Sequence, residues 1–239
     1  MLTFQARHTP ISGLHFWTAL SLASILGCNT GDDFASFFGF LSGLPALVVA
    51  FAVIAALEHR DRSSTIAWYW LAIIVVRTAA TNLADFVAHQ TGMTYALVAL
   101  TALLVAALAL ARARRHGAPA PTANGLPVVD GLYWFTMLTA GTLGTALGDF
   151  ISFKSGLGLG GASLVLSACA ALLVIGRTNA ATGWPIPYWL LVVLIRTAGT
   201  SVGDWFAHQL GLWQSTAVFA VVLLAFLWRG ARRAAVSPT

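Results

Sequence analysis

The stretch RTAATNLADFVAHQTG, Arg77 to Gly92, returns near the other end of the chain as RTAGTSVGDWFAHQLG, Arg196 to Gly211. Each copy sets an arginine, an aspartate and a histidine at the same spacing inside an apolar segment. The aspartate follows the arginine by eight residues and the histidine follows the aspartate by four. On a helix the aspartate then stands about 12 Å beyond the arginine along the axis. The histidine shares the aspartate's face, because residues four apart are neighbours.

Aligned on the aspartates, the pattern extends to four copies. Phe16-Trp17, Tyr69-Trp70, Tyr133-Trp134 and Tyr188-Trp189 each open 16 residues before Asp32, Asp85, Asp149 and Asp204. The approach to the acid reads LGCNTGD, AATNLAD, LGTALGD and AGTSVGD, with Cys28, Thr81, Thr145 and Thr200 in register. Copies two and four carry the arginine and histidine. Copies one and three have Ser24 and Gly141 at the arginine position. Each unit predicts one polar-marked odd helix, a short turn and one plain even helix, all four running the same way.

Of 239 residues 58% are apolar and 9% charged, against roughly 25% charged in a soluble domain. Apolar runs long enough for a hydrocarbon core about 30 Å thick recur throughout. They predict an all-α integral membrane protein with eight transmembrane helices near 12–31, 40–57, 66–88, 93–111, 132–153, 157–176, 186–207 and 211–228. Arg7, Arg60, Arg62, Arg112, Arg114, Arg115, Arg177, Arg229, Arg232 and Arg233 all fall on one side of that arrangement, with Lys154 opposite. Positive charge marks the cytoplasmic face, so both termini are expected inside. The net charge of +5 then reflects topology, and nucleic acid is not an expected partner. The lipid bilayer is. Trp68/Tyr69/Trp70, Tyr133/Trp134 and Trp184/Tyr188/Trp189 are expected to lie at the interface. The chain divides into a first four-helix half (1–111), a basic cytoplasmic linker (112–130) and a second, parallel half (131–239). Cys28 and Cys169 read as packed thiols, and Asp33 as a turn acid.

The four-copy arrangement with its Gly-Asp step and the run YW…RTAGTSVGDWFAH resembles a family of bacterial inner-membrane proteins whose repeat is of unknown function. Copy two departs from it with Ala84 before Asp85. The resemblance implies a multi-pass protein of the bacterial inner membrane and supplies no substrate.

Ionisable side chains at membrane depth cost about 2.5–3.5 kcal/mol each on insertion scales, so they face a bundle interior and carry function. Asp32, Asp85, Asp149 and Asp204 with His89 and His208 supply oxygen and nitrogen donors suited to a divalent ion of the manganese, iron or zinc class. Arg77 and Arg196 are expected as charge partners near the midplane, with Thr81 and Thr200 supporting. The expected function is transport of such an ion, manganese among them, coupled to protons because Asp and His titrate and Arg does not. Two readings compete. The arginines could bind a small organic or phosphate anion as the cargo of a carrier, or the two histidines could ligate one haem. A pseudo-fourfold acidic channel uses the same aspartates. No nucleophile elbow or HExxH pattern is present, so an enzyme is not expected.

Overall fold

The structure, a computed structural model, describes residues 9–61, 65–114, 124–178 and 187–236. Among the described residues it is all helical. The order is α1 (Leu14–Phe38), α2 (Leu44–Arg60), α3 (Ala67–Thr91), α4 (Met93–Arg114), α5 (Gly131–Lys154), α6 (Gly158–Thr178), α7 (Tyr188–Leu210) and α8 (Leu212–Val236). Five of these, α3, α4, α6, α7 and α8, are long and apolar enough to cross a membrane. α2 has only 17 residues, while α1 and α5 dilute their apolar content with Ser, Thr, Gly and Asp.

The odd helices form an inner ring. α1 packs on α3 and α7, and α5 packs on the same two, so the ring closes across both halves of the sequence. The even helices lie outside it, and each packs most extensively on the odd helix of the following unit: α2 on α3, α4 on α5, α6 on α7 and α8 back on α1. The last helix thereby completes the cycle that the first opens.

Small residues set the ring's diameter. Five residues before each aspartate stand Gly27, Ala80, Gly144 and Gly199, and each meets the arginine-position residue of the next odd helix. A Cβ on Gly27 would lie 2.5 Å from Arg77 Cγ, and one on Gly144 would collide with Arg196. Gly141 faces Ala80, and Gly199 faces Ser24. Backbones in lipid approach closely only where side chains are this small. Equivalent positions meeting around the ring show that the four inner helices run parallel and in register.

The helix ends carry the same periodicity. Seven residues beyond each aspartate stand Gly39, Gly92, Gly156 and Gly211, with φ of 78°, 82°, 82° and 91°. Residues with a Cβ rarely adopt that region. The N–H groups of Gly39, Gly92 and Gly211 close their helices onto Ala35, Ala88 and Ala207, and the chain turns at once into the even helix.

Several expectations change. α1 continues to Phe38, well past the expected end at 31, which carries Asp33 into the α1–α8 contact. There Asp33 is buried and its Oδ2 accepts from Thr216 Oγ1 at 2.7 Å. α4 runs into the expected linker as far as Arg114. Of that linker, 115–123 lie outside the described residues, as does Trp184. Its last part is packed: Leu126 and Val129 are buried, Ser12 N–H donates to Asn124 O at 2.8 Å, and Asp130 caps α5 by accepting from Tyr133 N. Tyr69, Trp70, Tyr133, Trp134 and Tyr188 stand at the helix starts and are buried in the core. An aromatic at the start of a helix suits a membrane interface or a bundle core; here hydroxyl bonds and ring contacts between the odd helices hold them inward. Cys169 is exposed, whereas Cys28 is buried, and both are free thiols.

Candidate functional site

Stacked layers run along the axis of the inner ring, each made of equivalent positions from several odd helices. At the end where these helices begin, Tyr69 and Tyr133 share a hydrogen bond of 2.6 Å between their hydroxyls, and Tyr133 and Tyr188 one of 2.9 Å. Phe16 supplies the fourth ring, its centroid 6.3 Å from Tyr69 and 6.4 Å from Tyr188. All four are buried, so this end of the axis is filled by side chains.

Two turns further along, Arg77 and Arg196 are both 0% exposed. Their guanidinium groups turn in opposite directions. Arg77 points toward the aspartates: Nε donates to Ser24 O at 3.3 Å, Nη1 to Thr81 Oγ1 at 3.0 Å and to Thr145 Oγ1, and Nη2 to Thr200 Oγ1 at 2.7 Å. One guanidinium thus ties α3 to α1, α5 and α7. The hydroxyls of Thr145 and Thr200 in turn donate to Gly141 O and Arg196 O, one helical turn back, which leaves their lone pairs free for the arginine. Arg196 points toward the tyrosines, and its Nη2 reaches Met137 Sδ at 3.4 Å.

The opposite directions have a cause in the sequence. On the α3 side the guanidinium meets a hydroxyl from the next odd helix, Thr145. The equivalent neighbour of Arg196 is Cys28, and sulfur is a weak acceptor. Two guanidinium groups turned toward the same layer would also repel.

The aspartate layer lies beyond the threonines. Asp32, Asp85, Asp149 and Asp204 are all partly buried. Asp204 acts electrostatically on Asp32 and Asp149, Asp85 acts on all three others, and Arg77 acts on all four. Four carboxyls with one guanidinium beneath them leave a strong excess of negative potential when ionised. Within the layer, ligand atoms of Cys28, Asp32 and Asp204 lie within 4.8 Å of one another, and Cys28 Sγ is 3.9 Å from Asp204 Oδ1.

The structure therefore brings together the four expected aspartates and Arg77, with Thr81 and Thr200 serving as partners of that arginine. It places Arg196 one layer away from them. His89 and His208 lie in the last turns of α3 and α7, exposed, and neither belongs to the Cys28–Asp32–Asp204 group. Cys28, expected as a packed thiol, is buried and also lends its sulfur to that group. Its membership of the threonine row, four residues before the acid, was the available signal. The tyrosine layer was also visible as a row of equivalent positions, but its meeting at the axis was not.

No curated protein and no solved structure matches the chain. A family model described as Repeat of Unknown Function (DUF347) matches residues 132–178 and 187–234. Those segments are α5 with α6 and α7 with α8, so the chain carries two copies of that repeat, coinciding with the third and fourth of its aspartate-centred units.

Proposed function

We propose that the protein is an eight-span transporter of the bacterial inner membrane that carries a divalent metal cation of the manganese, iron or zinc class in exchange for protons. The observation that carries this reading is the row of four partly buried aspartates on the four inner helices, two of which, Asp32 and Asp204, have oxygens that lie with Cys28 Sγ within 4.8 Å of one another. Oxygen and sulfur donors together suit zinc or iron better than magnesium or calcium. Both termini face the cytoplasm, as the arginine distribution requires. The aspartate layer then opens to the outer side, and the tyrosine layer closes the inner one.

In this reading the cation enters among the carboxyls and displaces their protons. Arg77 ties the four inner helices together beneath the layer and repels an ion that moves past it, so passage requires its threonine contacts to change partners as the ring loosens. His89 and His208 stand exposed at the outer mouth of the layer, beside the ion's way in. Flux of zinc, manganese or iron into proteoliposomes, followed with an encapsulated metal dye, tests the reading. Uptake by the wild type that falls to the level of empty liposomes in Asp204→Asn is the expected result. Equal uptake by both would overturn it.

A further inference from the structure

Arg196 is a fully buried guanidinium whose Nε and Nη1 have no hydrogen-bond acceptor. Its Nη2 touches only the Met137 thioether. Among the groups that act on it most strongly are Arg77, of like charge, and the hydroxyls of Tyr69, Tyr133 and Tyr188. An ionised group in an apolar interior without a counter-charge or hydrogen-bond partners is among the costliest arrangements a fold can contain. The carboxylates do not relieve it, because Arg77 and the threonine layer stand between. Toward the tyrosine end stand the hydroxyls of Tyr69, Tyr133 and Tyr188, bonded to one another, and a phenolic O–H can leave such a bond to turn toward an anion, the stronger acceptor.

We propose that Arg196 and the hydroxyls of Tyr69, Tyr133 and Tyr188 bind a small monovalent anion of halide size on the bundle axis. One unbalanced positive charge calls for one negative charge. Arg77 caps the site on one side and the tyrosine and Phe16 rings fill the other, so the ion is compact and carries no organic substituent. Guanidinium and phenolic N–H and O–H donors around a single anion form the charge-assisted hydrogen bonds that such a site needs. The anion neutralises Arg196 and links it to the tyrosine layer, so it braces the closed inner end. This site is independent of the cation reading.

The intact chain, purified in detergent with a chelator present, tests it. Thermal unfolding is followed in sodium chloride or bromide against sodium gluconate at equal ionic strength, and radioactive chloride binding is measured directly. Chloride and bromide are expected to raise the unfolding midpoint saturably, and bromide to displace bound chloride while gluconate does not. Arg196→Gln is expected to abolish both effects. Tyr133→Phe, which keeps the charge and the ring, weakens halide binding about tenfold through the loss of one hydrogen bond to a charged ligand. Wild-type chain that binds no chloride and shows no saturable halide effect overturns the proposal. So does a Tyr133→Phe or folded Arg196→Gln chain that responds as the wild type does. Because the chelator removes divalent metals, failure here leaves the cation proposal standing, and halide binding without metal flux leaves only this one.

Discussion

Arg77 holds the four inner helices at one point, and its replacement removes that tie. An interhelical hydrogen bond in lipid is worth about 0.6 kcal/mol on average, so Thr145→Val, which removes one partner, lowers stability only slightly. Arg77→Met removes every one of these bonds and also the cation facing four carboxyls. Losing four interhelical and intrahelical bonds together costs about 2 kcal/mol on the same scale. Equilibrium unfolding in mixed micelles should rank Arg77→Met clearly below Thr145→Val. Similar losses for the two would show that the guanidinium does not tie the inner helices together. At the same scale, Cys28→Ser replaces a soft donor with a hard one. Competition binding should then show the preference moving from zinc toward manganese. An unchanged ratio would remove Cys28 from the ion's coordination.

The helices owe their fit to small residues at fixed distances from each aspartate. Gly92 and Gly211 end α3 and α7 at φ of 82° and 91°, where a non-glycine residue costs about 1–3 kcal/mol. Gly92→Ala and Gly211→Ala are therefore expected to lower the unfolding midpoint, while Gly131→Ala, with nothing within 4 Å of the added Cβ, leaves it unchanged. The four-way register of these glycines was present in the sequence seven residues past each acid. It is physically the clearest mark of the repeat, because only glycine fits the backbone there. Helix positions, the aspartate row and the inner ring of odd helices were likewise legible, since periodic polar residues in apolar segments have to face inward. The histidines illustrate the limit. A spacing of four correctly puts His89 on the face of Asp85, yet that face has already left the bundle's interior one turn later. The direction of each arginine was also hidden. RTA is written identically in both stretches, and the difference comes from residues on other helices, Thr145 for one and Cys28 for the other.

Across the whole molecule the two halves complete one ring: α4 packs on α5, α8 on α1, and α3 and α1 meet α5 and α7. Neither half can bury its share of the polar axis alone. Chains 1–111 and 131–239 expressed together should copurify, and each alone should be degraded or aggregate. Stable, monodisperse halves would contradict the closed cycle. The claim on which the functional account rests is that carboxyls from both halves share one ion. Titration of the purified chain with zinc or manganese, read as ions bound per chain, tests it most directly. The account predicts a single ion per chain, lost on Asp32→Asn in the first half and equally on Asp204→Asn in the second. An ion still bound with either substitution in place, or one ion held by each half separately, would contradict it.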